Sequence, residues 1–182
     1  GAEIRLIDEQ VERMRLIVTQ LLQFARPTEY AGYVEALQPA RVVDDCLVLT
    51  GHLLARTRIE VRREGASARR VAINRQELQQ VLVNLMVNAI HAMPDGGVLT
   101  LGVHDAEDGS LSLTVTDTGP GLSPELLAQL FQPFVTRKKD GTGLGLWISR
   151  SLVERYGGDI TAANRNDGTP GAVFTVRLKA EG

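Results

Sequence analysis

Asn84 and Asn88 stand four residues apart in the segment Gln76–Met93. Its apolar residues Leu78, Val81, Leu82, Leu85, Met86 and Ala89 recur at three- and four-residue spacing, which predicts a helix with one buried stripe. Gln80, Asn84, Asn88 and His91 form a second stripe beside it. Asparagine is unfavourable inside a helix because its amide competes for backbone hydrogen bonds, so two on one face call for a reason. An amide oxygen is a neutral hard donor that suits Mg²⁺, a cation usually held by few protein groups together with substrate phosphates. On these residues alone, the polar edge of a packed helix is the alternative.

Three glycine-bearing segments follow. The first, Val115–Leu122, ends a strand in which Leu111, Leu113, Val115 and Asp117 alternate with Ser112, Thr114 and Thr116. Asp117 therefore shares a face with apolar residues, where a carboxylate is costly unless it accepts hydrogen bonds. The exocyclic amine of adenine is a suitable donor, and Gly119 and Gly121 would let backbone approach a flat base. A tight turn after a strand would use the same residues. The second segment, Leu130–Phe134, sets Phe131 and Phe134 around Pro133 in a chain with only 4% aromatic residues, so the pairing is noticeable. An ordinary helix stop would also fit it. In the third, Gly141, Gly143 and Gly145 alternate before the apolar run Leu144–Tyr156. A glycine-rich entry to a helix N-terminus suits phosphate, because free N–H groups and the positive end of the helix dipole face the anion. The spacing is neither that of a P-loop nor that of a dinucleotide-binding fingerprint.

The elements that must position these residues are legible as alternation and periodicity. Strands are expected at Arg58–Glu64, Arg69–Ile73, Val98–His104, Ser110–Asp117, Asp159–Asn164 and Ala172–Leu178, and helices at Ala40–Ala55, Arg75–Met93, Pro124–Phe131 and Gly143–Tyr156. Mixed runs of this kind indicate an α+β domain. At the N-terminus, Ile4, Ile7, Val11, Met14, Val18, Leu21 and Ala25 repeat at alternating three and four, widened by Ile17, Leu22 and Phe24. This is the seam of a coiled coil or bundle, and it stops at Arg26 before Pro27. Such a helix cannot bury its stripe alone. We expect a linker at 28–36 and a domain at 37–182.

Composition narrows the classes. A net charge of −2 argues against a nucleic-acid surface. Arg56, Arg58, Arg62, Arg63, Arg69 and Arg70 read as a solvated strand pair rather than a binding patch. Cys46 is the only cysteine, which excludes an internal disulfide and fits a reducing cytosol. No run reaches the roughly 20 apolar residues of a membrane helix.

Together these segments resemble the sensor histidine kinases. Asn84–Asn88 (NLMVN) is similar to the family's N box and Asp117–Gly121 (DTGPG) to its first glycine box. Phe131–Phe134 (FQPF) resembles the F box and Gly141–Leu146 (GTGLGL) the second glycine box. The order and spacing agree, and the resemblance covers roughly residues 37 to 180. It implies the Bergerat-type ATP-binding fold shared with gyrase, Hsp90 and MutL: a two-layer α/β sandwich with a mixed sheet and a lid over the nucleotide. It also implies phosphoryl transfer from Mg·ATP to a histidine, then relay to a response regulator, in a homodimer whose intact form can carry membrane segments upstream.

By the same resemblance, Asp117 would meet the adenine amine with Gly119 and Gly121 beside it. Asn88 would hold Mg²⁺ and Asn84 would steady the phosphates or a metal-bound water. Gly141, Gly143, Leu144 and Gly145 would offer N–H groups to the phosphates. Phe134, Thr136, Thr142 and Leu146 would complete the site, and Lys138 with Arg137 or Lys139 would add charge from the lid at 134–141. The N-terminal helix, 1–27, is similar to the second helix of the dimerization and phosphoacceptor hairpin, and L-L-Q-F-A-R-P at 21–27 resembles the nitrogen- and oxygen-regulating branch.

The pattern departs from the family in one respect: none of His52, His91 and His104 lies in a phosphoacceptor box. The first hairpin helix is therefore expected upstream of Gly1, and this chain is not expected to phosphorylate itself. The gyrase and MutL type resembles E-x-x-x-N, with a glutamate where Asn84 stands. An amide cannot act as a general base, so slow hydrolysis and transfer to a protein acceptor are expected. An ATPase of that type and a non-catalytic nucleotide-dependent interaction module are the alternatives.

Overall fold

The computed structural model describes residues 1–24, 33–135 and 143–181. The elements run α1 (Ala2–Phe24), β1 (Val34–Leu37), α2 (Pro39–Leu49), α3 (Gly51–Leu54), β2 (Ile59–Gly65), β3 (Val71–Asn74), α4 (Arg75–His91), β4 (Gly97–Asp105), β5 (Ser110–Thr116), α5 (Pro124–Gln129), α6 (Gly145–Arg155), β6 (Asp159–Asn164) and β7 (Ala172–Lys179). Five strands form one sheet in the order β2-β4-β5-β7-β6. β2 runs parallel to β4, and the other neighbours are antiparallel. The sheet is thus mixed, as expected, and α2, α4 and α6 cover one face in a two-layer α+β sandwich.

Strand alternation sets the two faces. Leu101 pairs with Val115, which pairs with Phe174; Val103 pairs with Leu113, which pairs with Val176. These residues are buried beneath the helices. Between them, Thr100, Thr114, Thr116 and Thr175 form the opposite face. On α4, the expected stripe of Leu78, Val81, Leu82, Leu85, Met86 and Ala89 is fully buried. Each such large side chain contributes about 1.5–3 kcal/mol relative to exposure. Asn74 caps this helix: its Oδ1 accepts from Glu77 N at 2.9 Å, and its Nδ2 donates to the Tyr33 carbonyl at 3.1 Å. α6 is tied to the sheet edge by Arg150, which lies 5.1 Å over the Phe131 ring and pairs with Asp159 at 3.2 Å.

Several expectations need correction. The segment 28–36 is not all linker. β1 begins at Val34 and pairs antiparallel with β3, Leu37 opposite Val71. The single helix expected over Ala40–Ala55 breaks at Thr50 (φ −93°, ψ 0°), whose hydroxyl donates to the Cys46 carbonyl at 2.9 Å. That bond competes with the helical ladder, and Gly51 follows with low helix propensity. α6 starts at Gly145 rather than Gly143, because Gly143 adopts φ +74°. α4 ends at His91, α5 at Gln129, β5 at Thr116, and β3 begins at Val71.

The basic stretch is not the pair of strands expected: Arg62 and Arg63 lie on β2, beside β4, whereas Arg69 and Arg70 precede β3, which pairs with β1 in a separate sheet. Arg62 pairs with Glu60, Arg63 with Asp44, and Arg69 donates to the carbonyls of Ala106 and Ser110. On α1, Ile4, Ile7, Val11, Met14 and Val18 are all more than half exposed, so this seam is left uncovered by the described residues. The side chains of Ile17, Leu21, Leu22 and Phe24, and the whole of Ala25, Arg26 and Pro27, lie outside the described residues. His104 sits on the exposed strand face, and His52 and His91 are exposed.

Cys46 is fully buried on α2, and burial, with a smaller contribution from Asp45, pushes its thiol up to about 12. The thiolate is the reactive species. Cys46 should therefore be inert to a thiol-reactive disulfide reagent at pH 8 in the folded protein and react fully in guanidinium. Rapid stoichiometric reaction in the folded state would contradict this packing.

Candidate active site

Asp117 follows the last rung of β5 and is 1% exposed, among the side chains of the core. Its backbone N–H donates to the Ala172 carbonyl at 3.0 Å. Its Oδ1 accepts from Gly119 N at 2.9 Å and from Ala172 N at 3.2 Å. Its Oδ2 is buried with no hydrogen-bond partner among the described residues. One oxygen is thus spent on the protein and the other is left for a donor from outside. An unsatisfied buried acceptor costs about 1–3 kcal/mol, more when charged, so a ligand N–H here would recover a standing penalty. The acceptor expected from strand alternation is present, and the structure identifies which oxygen is available.

The glycines near Asp117 are also packed closely against the protein. A Cβ on Gly119 would lie 2.6 Å from the Ala92 carbonyl oxygen, and one on Gly121 (φ +80°) would lie 2.8 Å from Asn164 Oδ1. The close approach visible at these positions is to the protein, at the end of α4 and on β6. Beside Gly119 opens a groove of about 660 Å³, walled by Ala92, Met93, Thr118 and Pro120. Thr118 braces it: its Oγ1 accepts from Val98 N at 3.0 Å, and its N–H points at Met93 Sδ, 3.3 Å away.

The two asparagines of α4 differ. Asn84 Nδ2 donates to Ser149 Oγ on α6 at 3.0 Å, and a Cβ on Gly145 would lie 2.8 Å from Asn84 Oδ1. Asn84 thus holds the start of α6 against α4, which differs from a free phosphate contact. The half-buried side chain of Asn88 makes no hydrogen bond to another described residue. Its amide is available to a ligand or a cation. Among the described residues no cluster of three or more His, Cys, Asp or Glu could hold a metal by itself. A cation here would need ligand oxygens for most of its shell, as Mg²⁺ on phosphates has.

α6 opens with no side-chain cap, and its first residue, Gly145, follows the buried Leu144. An uncapped N-terminus presents N–H groups and the positive dipole end to an anion. Leu146 packs partly buried against the core and shows no polar role. Gly143 and Phe134 pinch the ends of the lid segment together. Phe134 N donates to the Gly143 carbonyl at 2.8 Å, and a Cβ on Gly143 would lie 2.4 Å from the Phe134 carbonyl carbon. Phe134 itself takes φ +67°, a left-handed conformation that costs a non-glycine residue about 1–2 kcal/mol. Its ring is 63% exposed, free to meet something that covers it. Thr136, Arg137, Lys138, Lys139, Gly141 and Thr142 lie outside the described residues.

Two site residues escaped the sequence reading. Ser149 sits in an apolar helix with no motif around it, and Asn164 ends an edge strand; each is recognised only by a partner far along the chain, Asn84 for one and Leu122 for the other.

Residues 73–182 match the family described as histidine kinase-, DNA gyrase B-, and HSP90-like ATPase. Sensor histidine kinase ZraS of Klebsiella oxytoca is 33% identical over 174 residues, which are 95% of this chain and 37% of that protein. The chain therefore spans little more than a third of that relative's length. The catalytic domain of histidine kinase ThkA, in a nucleotide-free form, superposes with a TM-score of 0.73 at 30% identity, covering 81% of this chain and 96% of that one. ThkA in complex with the response regulator TrrA gives a TM-score of 0.75 at 27% identity, over 98% of this chain and 50% of that one.

Asp117→Asn keeps an oxygen for the two backbone donors but turns the free acceptor into a donor. Affinity for ADP, measured by calorimetry, should fall about 10- to 100-fold, the worth of one charge-assisted hydrogen bond. Unchanged affinity would remove Asp117 from the site.

Proposed function

The chain belongs to the histidine kinase-, DNA gyrase B- and HSP90-like ATPase family, and from that premise we propose that it is the catalytic part of a sensor histidine kinase. It transfers the γ-phosphoryl group of ATP to a histidine on a helical hairpin of the same protein, for relay to an aspartate of a response regulator. The observation that carries this reading is the buried Asp117 carboxylate, one oxygen hydrogen-bonded and the other without a partner among the described residues, near a groove of about 660 Å³ walled in part by Gly119.

Phosphoryl transfer needs positioning and charge neutralisation more than covalent help. Asp117 and the groove along Gly119 hold the base. The uncapped start of α6, with Gly143, Leu144 and Gly145, faces the phosphates, joined by Gly141 and the lid residues Thr136, Lys138 and Thr142. Asn88 supplies a side-chain amide oxygen of α4 with no hydrogen-bond donor among the described residues, and Mg²⁺ bound there would neutralise phosphate charge. Asn84 contributes by fixing α6 and leaves the position without a general base. This favours a protein acceptor over water and sets the chain apart from a gyrase- or MutL-type ATPase.

The exposed seam of α1 supports a role as one helix of the dimerization hairpin, in a homodimer. We assign 1–27 to that hairpin and 37–182 to the catalytic domain, with the first strand reaching back to Val34. L-L-Q-F-A-R-P supports the nitrogen- and oxygen-regulating branch. We place the domain in the cytoplasm, where ATP and response regulators are found. Among the described residues no helix is long and apolar enough to cross a membrane.

The test is transfer from γ-labelled ATP to the parent protein's hairpin supplied separately. The hairpin should acquire acid-labile phosphate, this chain should not, and Asn88→Ala should slow labelling about 100-fold or more, as loss of an electrostatic transition-state contact does. Fast phosphate release with no labelled hairpin would favour the ATPase. Stoichiometric label on this chain would point to His52, His91 or His104 instead.

A further inference from the structure

Asn164 ends β6 on the exposed side of the sheet edge, where an asparagine would ordinarily be solvated. Here both halves of its amide are committed to one residue of another segment. Its Oδ1 accepts from Leu122 N at 2.7 Å, and its Nδ2 donates to the Leu122 carbonyl at 2.8 Å. This two-point clasp on a peptide backbone mimics a strand rung, and it forms where β5 has ended and the loop 117–122 has left the sheet.

The clasp occupies a specific place in the register. Asn164 pairs with Ala172 across the β6–β7 hairpin. Ala172 holds the other end of the same loop, bonding Asp117 through both its N–H and its carbonyl. One cross-strand pair therefore grips both ends of the segment that carries the carboxylate. Gly121 fits only because it lacks a Cβ, which would lie 2.8 Å from Asn164 Oδ1. The hairpin beyond the clasp is itself organised. Arg165 N donates to the Gly171 carbonyl at 3.0 Å, and Asp167 accepts from Arg165, from Thr169 N and from Thr169 Oγ1. The support for the loop is thus preformed.

We infer that Asn164 is a positioning residue for nucleotide selection: its clasp on Leu122 fixes the 117–122 loop so that Asp117 Oδ2 faces the 6-amino group of the base. The inference rests on the reading of Asp117 given above. It assigns base discrimination to a residue that touches neither the base nor the phosphates.

The experiment compares ADP with inosine diphosphate, which lacks the 6-amino group, by calorimetry on wild type, Asn164→Ala and Asn164→Asp. Wild type should prefer ADP by about 10- to 100-fold, the worth of one charge-assisted bond. Asn164→Ala should narrow that ratio to within about threefold, with inosine diphosphate affinity nearly unchanged, because only the aimed hydrogen bond is lost. Asn164→Asp keeps the acceptor for Leu122 N–H and should fall between; it carries the comparison if Asn164→Ala fails to fold. Hydrogen exchange at the Leu122 amide gives a local readout, which should speed in Asn164→Ala and stay slow in Asn164→Asp. A wild-type-like ratio in a folded Asn164→Ala with fast exchange at Leu122 would overturn the inference while leaving Asp117 in place. Equal losses for both nucleotides would also overturn it, as they indicate general loosening. Equal binding of the two nucleotides by wild type would overturn the Asp117 reading and this inference with it.

Discussion

A carboxylate buried at the end of a central strand is expensive, and Asp117 is supported on one side only. Two backbone N–H groups satisfy Oδ1, from Gly119 within its own loop and from Ala172 on β7. Oδ2 has none among the described residues. The arrangement persists because the strands around it are held by a continuous core from Leu99 on β4 to Phe174 on β7, in which each large side chain contributes about 1.5–3 kcal/mol. The site spends part of that stability. Its neighbours follow from the same constraint. Gly119 has no room for a side chain against Ala92, and Gly171 has none against the Asp117 carbonyl oxygen, 2.1 Å from where its Cβ would stand.

The second half of the site depends on the contact between α4 and α6. Asn84 and Ser149 join the helices by a hydrogen bond, and Gly145 lets them approach closely enough to make it. This contact aims the open N-terminus of α6 along the same helix that carries Asn88. The two halves meet where Arg150 of α6 pairs with Asp159 at the start of β6. The Asp117 end is anchored by the β6–β7 hairpin, and the start of α6 by helix packing and the Phe134–Gly143 pinch.

Much of this was legible in the sequence where periodicity is long and local. The buried stripe of α4 and the alternation of β4, β5 and β7 specify helix and strand within a few residues, and Asp117 stood out as the one charge in an apolar phase. What was hidden depends on partners distant in sequence. β1 is four residues long and becomes a strand only by pairing with β3. The break at Thr50 turns on a hydroxyl that could equally have faced solvent. The bond from Asn84 to Ser149 crosses 65 residues and the clasp of Asn164 on Leu122 crosses 42, so neither partner is visible in local pattern. Local pattern shows which residues are unusual; only the tertiary structure shows which of their atoms remain free.

The most direct measurement is a crystal structure of this chain with Mg²⁺ and a non-hydrolysable ATP analogue. The account places the exocyclic amine of the adenine at hydrogen-bond distance, about 2.7–3.2 Å, from Asp117 Oδ2, with Oδ1 still bonded to Gly119 and Ala172. A nucleotide bound with its base away from Asp117, leaving Oδ2 without a ligand donor, would contradict it.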